Sequence, residues 1–557
     1  MTSSRFSINI ALPENKLRQL TLFVNKYFGV ITFLVLTIIS ILTFKAYYDN
    51  GLGIAYNDAR SHLDIGRRVV EGLKPGFAQL GSVWLPLPHV LMLPTIWNDF
   101  MWHSGLAGAI PSMLSFVAIG LLIYQFLNKL GIGLVGKTIG ILIWATNTNI
   151  LYLQSTAMTE LLLLFTMTYA SYELLLWVKN NNSSHLIKCA FWIMLSTLTR
   201  YDGWFLLAWV TSIVGLVILF EGAKRSKSIK ITARNLTKTI TKNFTKTEGM
   251  LFLFLTLASF GIFLWLLWNL MIFKDPLYFA FGPYSAKAQQ DQIASAGELP
   301  TKHNLFLSAK YYLFALAYNS NAFLMLYGLF GSIVFFVSKD YSLKIKIAVS
   351  ALLAPLFFNI LALYLGHSVL FIQGLSGTAW FNVRYGVMLV PSIAVFTAIM
   401  LDKLKGLRAP FIGIILMLVF FQFYSNDVVT IDDARVGSSQ KNVSEVSGWL
   451  AKNAGPKKGF VLISAASHDA IIFSSGMPMK RFIHEGTGLY WKSALALPDR
   501  WARWIIMRTY DDNDGTWKNV KNTKGIEKYN LIHKYPFADI YELKEEYVKD
   551  LTTTPIK

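Results

Sequence analysis

The stretch YNDARSHLDIGRR, residues 56–68, gathers Asp58, Arg60, His62, Asp64, Arg67 and Arg68 directly after the first long apolar run of the chain. Carboxylates, guanidiniums and an imidazole at that density suit proton transfer or the binding of an anion. Further candidates lie far apart in the chain: His89 in WLPLPHVLMLP, Glu160 in MTE, Arg200, Tyr201 and Asp202 in TRYDG, Lys287 and His303 in one polar stretch, and Arg384 in WFNVRYG. No G-x-G-x-x-G follows a predicted strand, and no Walker, H-E-x-x-H or paired C-x-x-C pattern occurs, so nothing points to a nucleotide cofactor or zinc. DDNDG, 511–515, lacks the spacing and the closing Glu of a calcium loop and reads as a tight turn.

Taken singly, each residue has a purely structural explanation. Residues 59, 63, 66, 70 and 73 form the apolar stripe of a surface helix that Asp58 could cap, with Arg67 and Arg68 on its headgroup side. Glu160 could merely end a span, Arg200 and Asp202 could pair, Arg384 could be a snorkelling anchor and His89 could rest at the interface. What distinguishes them is where the surrounding elements must place them.

Over 557 residues, 54% are hydrophobic and 15% charged, and apolar runs recur at the roughly 20-residue length that crosses a hydrocarbon core. This composition describes an integral membrane protein. Eleven spans are predicted, at 28–44, 105–127, 134–150, 158–178, 187–199, 203–220, 250–273, 318–337, 345–365, 385–402 and 410–424. The net charge of +20 is read as topology rather than as nucleic-acid binding, because Lys and Arg collect in short segments between runs. The N-terminus, Lys129 with Lys137, Lys179 with Lys188, the segment 221–248, Lys339 to Lys346, and Lys403 to Arg408 then share the cytoplasmic side. A single helix over 187–220 would bury Arg200 and Asp202 at mid-membrane, at about 3 kcal/mol each. Two spans joined by TRYDG avoid that cost. The single cysteine, Cys189, rules out a disulfide framework.

Under this parity the N-terminus is cytoplasmic, loops 45–104 and 274–317 are long and extracytoplasmic, and so is a domain over 425–557. In that domain GFVLISAA, DAIIFSS, RWIIMR and FADIYEL read as strands and NVSEVSGWLAKN as a helix, an α/β pattern. The predicted fold is polytopic α-helical over 1–424, carrying this small α/β domain. Acids and bases from five loops converge on one membrane face, the signature of a binding site.

With these placements the chain resembles the GT-C superfamily of integral membrane glycosyltransferases, nearest its protein O-mannosyltransferase and aminoarabinose-transferase branch. NDARSHLDIGRRVVEGLKPGFAQLGSVWLPLPHVLMLP, MTE and NVRYG carry the resemblance, which spans residues 28–424 by architecture. Asn57-Asp58 replaces the adjacent Asp-Glu of the O-mannosyltransferases, a departure that bears on the acceptor class. The resemblance implies transfer of a sugar from a polyprenyl-phosphate carrier to a glycan, lipid or protein hydroxyl outside a prokaryotic plasma membrane, with inversion. It implies Asp58 as general base and Arg384, helped by Arg60, Arg200 or Lys287, as cations for the departing phosphate. Glu160, Asp202, Tyr201, His62 and His89 would bind or orient substrate, and Tyr201, Trp84 or Trp380 could stack on the sugar. No cofactor or metal is expected, although Asp58, Asp64 and Glu160 could in principle meet around a divalent ion. A lipid-linked sugar flippase or a non-catalytic envelope assembly factor is the alternative. A flippase should show internal repeats and paired mid-membrane charges, and no convincing repeat is found.

Overall fold

The computed structural model describes residues 14–221, 233–282, 285–295, 299–437 and 443–552. Arg5, Lys224, Arg225, Lys227 and Lys230 of the predicted basic segments lie outside the described residues. The apolar runs fold as helices because lipid offers no partner for a free backbone N–H or C=O. The elements that matter for the site are α1 (Glu14–Asp49), α2 (Asn57–Val70), α3 (Leu87–Ile96), α4 (Leu106–Lys129), α5 (Glu160–Asn180), α6 (Asp202–Leu219), α7 (Val390–Leu404), α8 (Arg408–Ser425) and α9 (Val429–Val436).

Among the described residues six helices are long and apolar enough to cross a membrane, or up to eight if each of two bent pairs is one span. The chain is a multi-pass membrane protein. Each of the eleven predicted runs falls on helix, but Leu134–Ala145 and Ser183–Thr197, at 12 and 15 residues, are shorter than a straight crossing needs. The loop predicted at 274–317 is partly helical as well. Leu305–Ser320 forms a helix that meets Ala322–Val337 at 113°, with Asn321 in the left-handed region at the corner and its side chain accepting from the Phe323 N–H.

Small residues set the bundle's centre. α7 is buried along almost its whole length. A Cβ on Gly331 would lie 2.2 Å from the Phe396 carbonyl, and one on Gly136 would lie 3.1 Å from that of Ala398, so helices close on α7 from two sides at backbone contact. Lipid-facing α1 is the contrast, with Val30, Leu34, Ile38 and Leu42 exposed. At the bundle end away from α2, Lys179 reaches the Lys129 carbonyl, Lys246 and Lys344 flank Glu221, and Lys403 pairs with Asp340.

The C-terminal domain is a five-stranded sheet, β1 (Phe460–Leu462), β2 (Phe482–Ile483), β3 (Ala502–Met507), β4 (Tyr529–Lys534) and β5 (Asp539–Leu543), in the order β2-β1-β3-β5-β4. β1 runs parallel to β2 and β3, while β5 is antiparallel to β3 and β4. Three predicted strands are present, but DAIIFSS lies in α10 (Ala465–Ser474). A short apolar run fits a buried helix as well as a strand, and here its flat side packs on α2 and on Trp102.

Candidate active site

α2 begins at Asn57, with Tyr56 as its N-cap residue and no side-chain cap bond. Asp58 therefore does not cap the helix; it sits in the first turn, its side chain 36% exposed, and pairs with Arg384 at 2.8 Å from Nη2. Glu160 opens α5 and Asp202 opens α6, so three carboxylates stand at helix N-termini, where the macrodipole favours negative charge. The three starts face the same guanidiniums. Arg384 Nε donates to Glu160 Oε1 at 3.1 Å, and Arg200 Nη1 donates to the same oxygen at 3.2 Å while its Nε donates to Asp202 at 3.3 Å.

A fourth carboxylate joins from beyond the last span. Asp433, on α9, accepts from Arg384 Nη1 at 3.4 Å and from the Tyr56 hydroxyl at 3.0 Å, and is fully buried. The rings of Tyr56 and Tyr385 lie 5.1 and 5.6 Å from the Arg384 guanidinium, and Tyr385 is 5.3 Å from that of Arg200. Asp433, Tyr56 and Tyr385 were not singled out in the sequence.

The backbone around Arg384 is fixed from the corner of the broken helix. Asn319 donates to the Val383 carbonyl at 2.7 Å, and Asn147 donates to the Asn319 carbonyl at 2.8 Å. Gly386 is where the chain passes closest, because a Cβ there would lie 2.2 Å from the Ala315 carbonyl.

His62, one turn after Asp58, holds His89 at 2.8 Å between ring nitrogens, and its ring lies 4.4 Å from half-exposed Trp84. Burial and the charges of Arg200 and Arg384 push His62 down to about 3, so it stays neutral at physiological pH and can bind or orient but not shuttle protons. Tyr201 donates to the Val83 carbonyl at 3.0 Å and stacks on Phe279, and Trp380 packs edge-on against Tyr318.

Arg60 and Lys287 stand apart from this network. Lys287 is exposed above the Phe281 ring. Arg60 donates to the Ile54 carbonyl and lines a cavity of about 1000 Å³ with Asn50, Asn57, Asn426, Asp432 and Arg435. Cavity and network share the same two chain segments, since Asn57 precedes Asp58 and Asp432 precedes Asp433.

The headgroup placement expected for Arg67 and Arg68 is corrected. Arg67 is buried, bonded to Glu71, Asp99 and the carbonyls of Ile96 and Trp97 with the Trp102 ring 4.7 Å away, and Arg68 binds Asp469; neither lies on a headgroup face. α2 is covered on both sides, by α3 and by the C-terminal domain. Asp64 does not approach Glu160; it accepts from the Trp102 indole and faces α10. Among the described residues no group of three or more His, Cys, Asp or Glu side chains is arranged to hold a metal ion.

Solved structures extend the comparison. ArnT from Cupriavidus metallidurans bound to undecaprenyl phosphate superposes with a TM-score of 0.51 at 10% identity, over 91% of this chain and 98% of that one. The chain shares the ArnT fold. The resemblance read from the sequence is borne out at the level of architecture. The archaeal oligosaccharyltransferase AglB from Archaeoglobus fulgidus, in complex with an inhibitory peptide and a dolichol-phosphate, matches 87% of this chain and 69% of its own at 11% identity, with a TM-score of 0.47. No protein-family model matches the chain, and no curated protein does.

Proposed function

We propose that the protein is a glycosyltransferase that moves a sugar from a polyprenyl-phosphate carrier to an acceptor hydroxyl on the extracytoplasmic face of a prokaryotic plasma membrane, with inversion. The observation that carries this reading is the Asp58–Arg384 pair, half-open to solvent at its carboxylate and anchored behind by Glu160 and Asp433. The ArnT fold, crystallised with undecaprenyl phosphate, supports the carrier class. Gathering the basic residues at the end away from α2 supports an outward-facing site, since loops rich in Lys and Arg stay cytoplasmic.

The acceptor oxygen attacks the anomeric carbon, the bond from that carbon to the phosphate oxygen breaks, and the acceptor proton passes to Asp58. Arg384 would meet the departing phosphate. Turning Nη2 from Asp58 to phosphate does both jobs together, stabilising the leaving group and freeing the carboxylate oxygen for the hydroxyl. Charge balance assigns the rest. Four carboxylates against two guanidiniums leave the network two negative charges in excess, which repels a phosphate unless further cations face it. Arg60 and Arg435 in the adjoining cavity supply those cations, one of them offset by Asp432, and make it the berth for the carrier phosphate. Arg200 orients Glu160, while Lys287 stands too apart to share the first contact. Trp84, seated on His62, offers the sugar an aromatic face, and His89 fixes His62.

The test gives membranes containing the protein a panel of labelled polyprenyl-phosphate sugars. Transfer by wild type and its loss in Asp58→Asn are expected. Wild-type protein that transfers none of them but moves the labelled lipid between leaflets would replace the enzyme reading with a flippase.

A further inference from the structure

Three ionisable groups meet where the C-terminal domain touches α2, away from the Arg384 network. Asp64 and Arg68, four residues apart on α2, share one face and point at α10. Arg68 grips Asp469 side-on, Nη1 to Oδ1 and Nη2 to Oδ2, at 3.3 Å each. Asp64 is fully buried; its Oδ1 accepts from the Trp102 indole at 3.0 Å, its Oδ2 meets no donor among the described residues, and the Asp469 carboxylate is its strongest charged neighbour. Two carboxylates against one guanidinium leave a surplus negative charge in a dry contact, which a single proton removes. Burial and the neighbouring carboxylate push Asp64 well above the usual range, and burial pushes Asp469 up to about 6.

We propose that Asp469 is a positioning residue for the transfer reaction: by sharing one proton with Asp64 and clamping Arg68 it fixes the tilt of α2, and so the reach of Asp58. This rests on the glycosyltransferase reading. Among the described side chains, the groups around the contact do not supply the charge otherwise. Glu485 adds negative charge on the domain side, where it accepts from Ser464 and the Ala465 N–H. His484, His89 and His103 face it from the domain, from α3 and from the helix Asp99–His103, and burial holds all three below their ordinary range, hence neutral. The contact is thus neutral with one proton and repulsive without it. Because both carboxyls are raised in the folded protein, the contribution is present at low pH and is lost as pH rises through their titration, on the alkaline side.

Full-length protein in detergent is assayed from pH 5 to 9 for transfer, and by hydrogen exchange over residues 57–70. Wild type should lose transfer and gain exchange in α2 along one alkaline limb. Asp64→Asn keeps the shape of the protonated acid and offers Asp469 a donor that cannot titrate, so it should remain active and abolish that limb in both readouts. Asp469→Ala should lower transfer on the order of 10²-fold below the limb, the cost of a misplacement of about 1 Å, and show no limb of its own. Superimposable wild-type and Asp64→Asn profiles overturn the shared proton. Asp469→Ala with wild-type transfer and unaltered exchange overturns the positioning role. Exchange needs no sugar donor, so a chain without transferase activity would sink the functional reading while the limb in α2 was still measured.

Discussion

Replacing Asp58 by Asn separates chemistry from structure, because the two contributions of this carboxylate differ in size. The side chain is 36% exposed, so its pair with Arg384 is screened and is worth up to about 1 kcal/mol. Arg384 keeps Glu160 and Asp433, and no buried charge is stranded. A positioned general base accelerates proton transfer typically by 10²–10⁴-fold, about 2.7–5.4 kcal/mol of barrier at 1.36 kcal/mol per tenfold. The variant should unfold within a few degrees of wild type in detergent yet transfer sugar at least about a hundredfold more slowly. Initial rates with labelled donor at saturation, together with thermal unfolding of the same preparation, measure both. A folded Asp58→Asn protein with rates within twofold of wild type would refute the base assignment.

Arg384→Met should both abolish transfer and destabilise the protein by about 3–5 kcal/mol, since it strands Asp433 as an uncompensated buried charge and leaves Glu160 with Arg200 alone; thermal unfolding and transfer rates read this together. Asp433→Asn weakens the bonds from Tyr56 and Arg384, charge-assisted ones worth about 1.5–3 kcal/mol, and is expected to slow transfer tenfold to a hundredfold. Gly386→Ala drives a methyl into the Ala315 carbonyl two residues from Arg384 and should cost about 1–3 kcal/mol in unfolding measurements. Sidedness has a clean test because Cys189, the one native cysteine, is buried: Leu531→Cys on exposed β4 should react with a membrane-impermeant maleimide in intact cells, and reaction only after lysis would place the domain inside.

Membrane parity was the strongest signal in the sequence, and it singled out five residues that meet in space: Asp58, Glu160, Arg200, Asp202 and Arg384. Asp433 escaped it because IDDARV carries two adjacent acids after the last apolar run, and nothing in the spacing says that Asp433 turns inward while Asp432 stays exposed. Its partner Tyr56 lies 377 residues away. Arg67 was misplaced for the opposite reason. Its helix looks one-sided in sequence, but α3 and the C-terminal domain cover both faces, and distant carbonyls satisfy the guanidinium. In the sheet, β4 was missed because only Tyr529 of its six residues is buried, leaving no alternation to read.

Arg384 and Asp433 flank a helical hairpin: α7 leaves the site, turns at Lys405–Leu407, and α8 returns to it. During synthesis, therefore, the acids Asp58, Glu160 and Asp202 emerge first with Arg200 as the one network guanidinium among them, and Arg384, which pairs with Asp58 and Glu160, arrives more than 180 residues later. Until Arg384 arrives, Asp58 lacks its cation and Glu160 has Arg200 alone, and the network closes only when α8 has threaded back and delivered Asp433. Assembly order alone keeps a half-made chain from presenting a finished site.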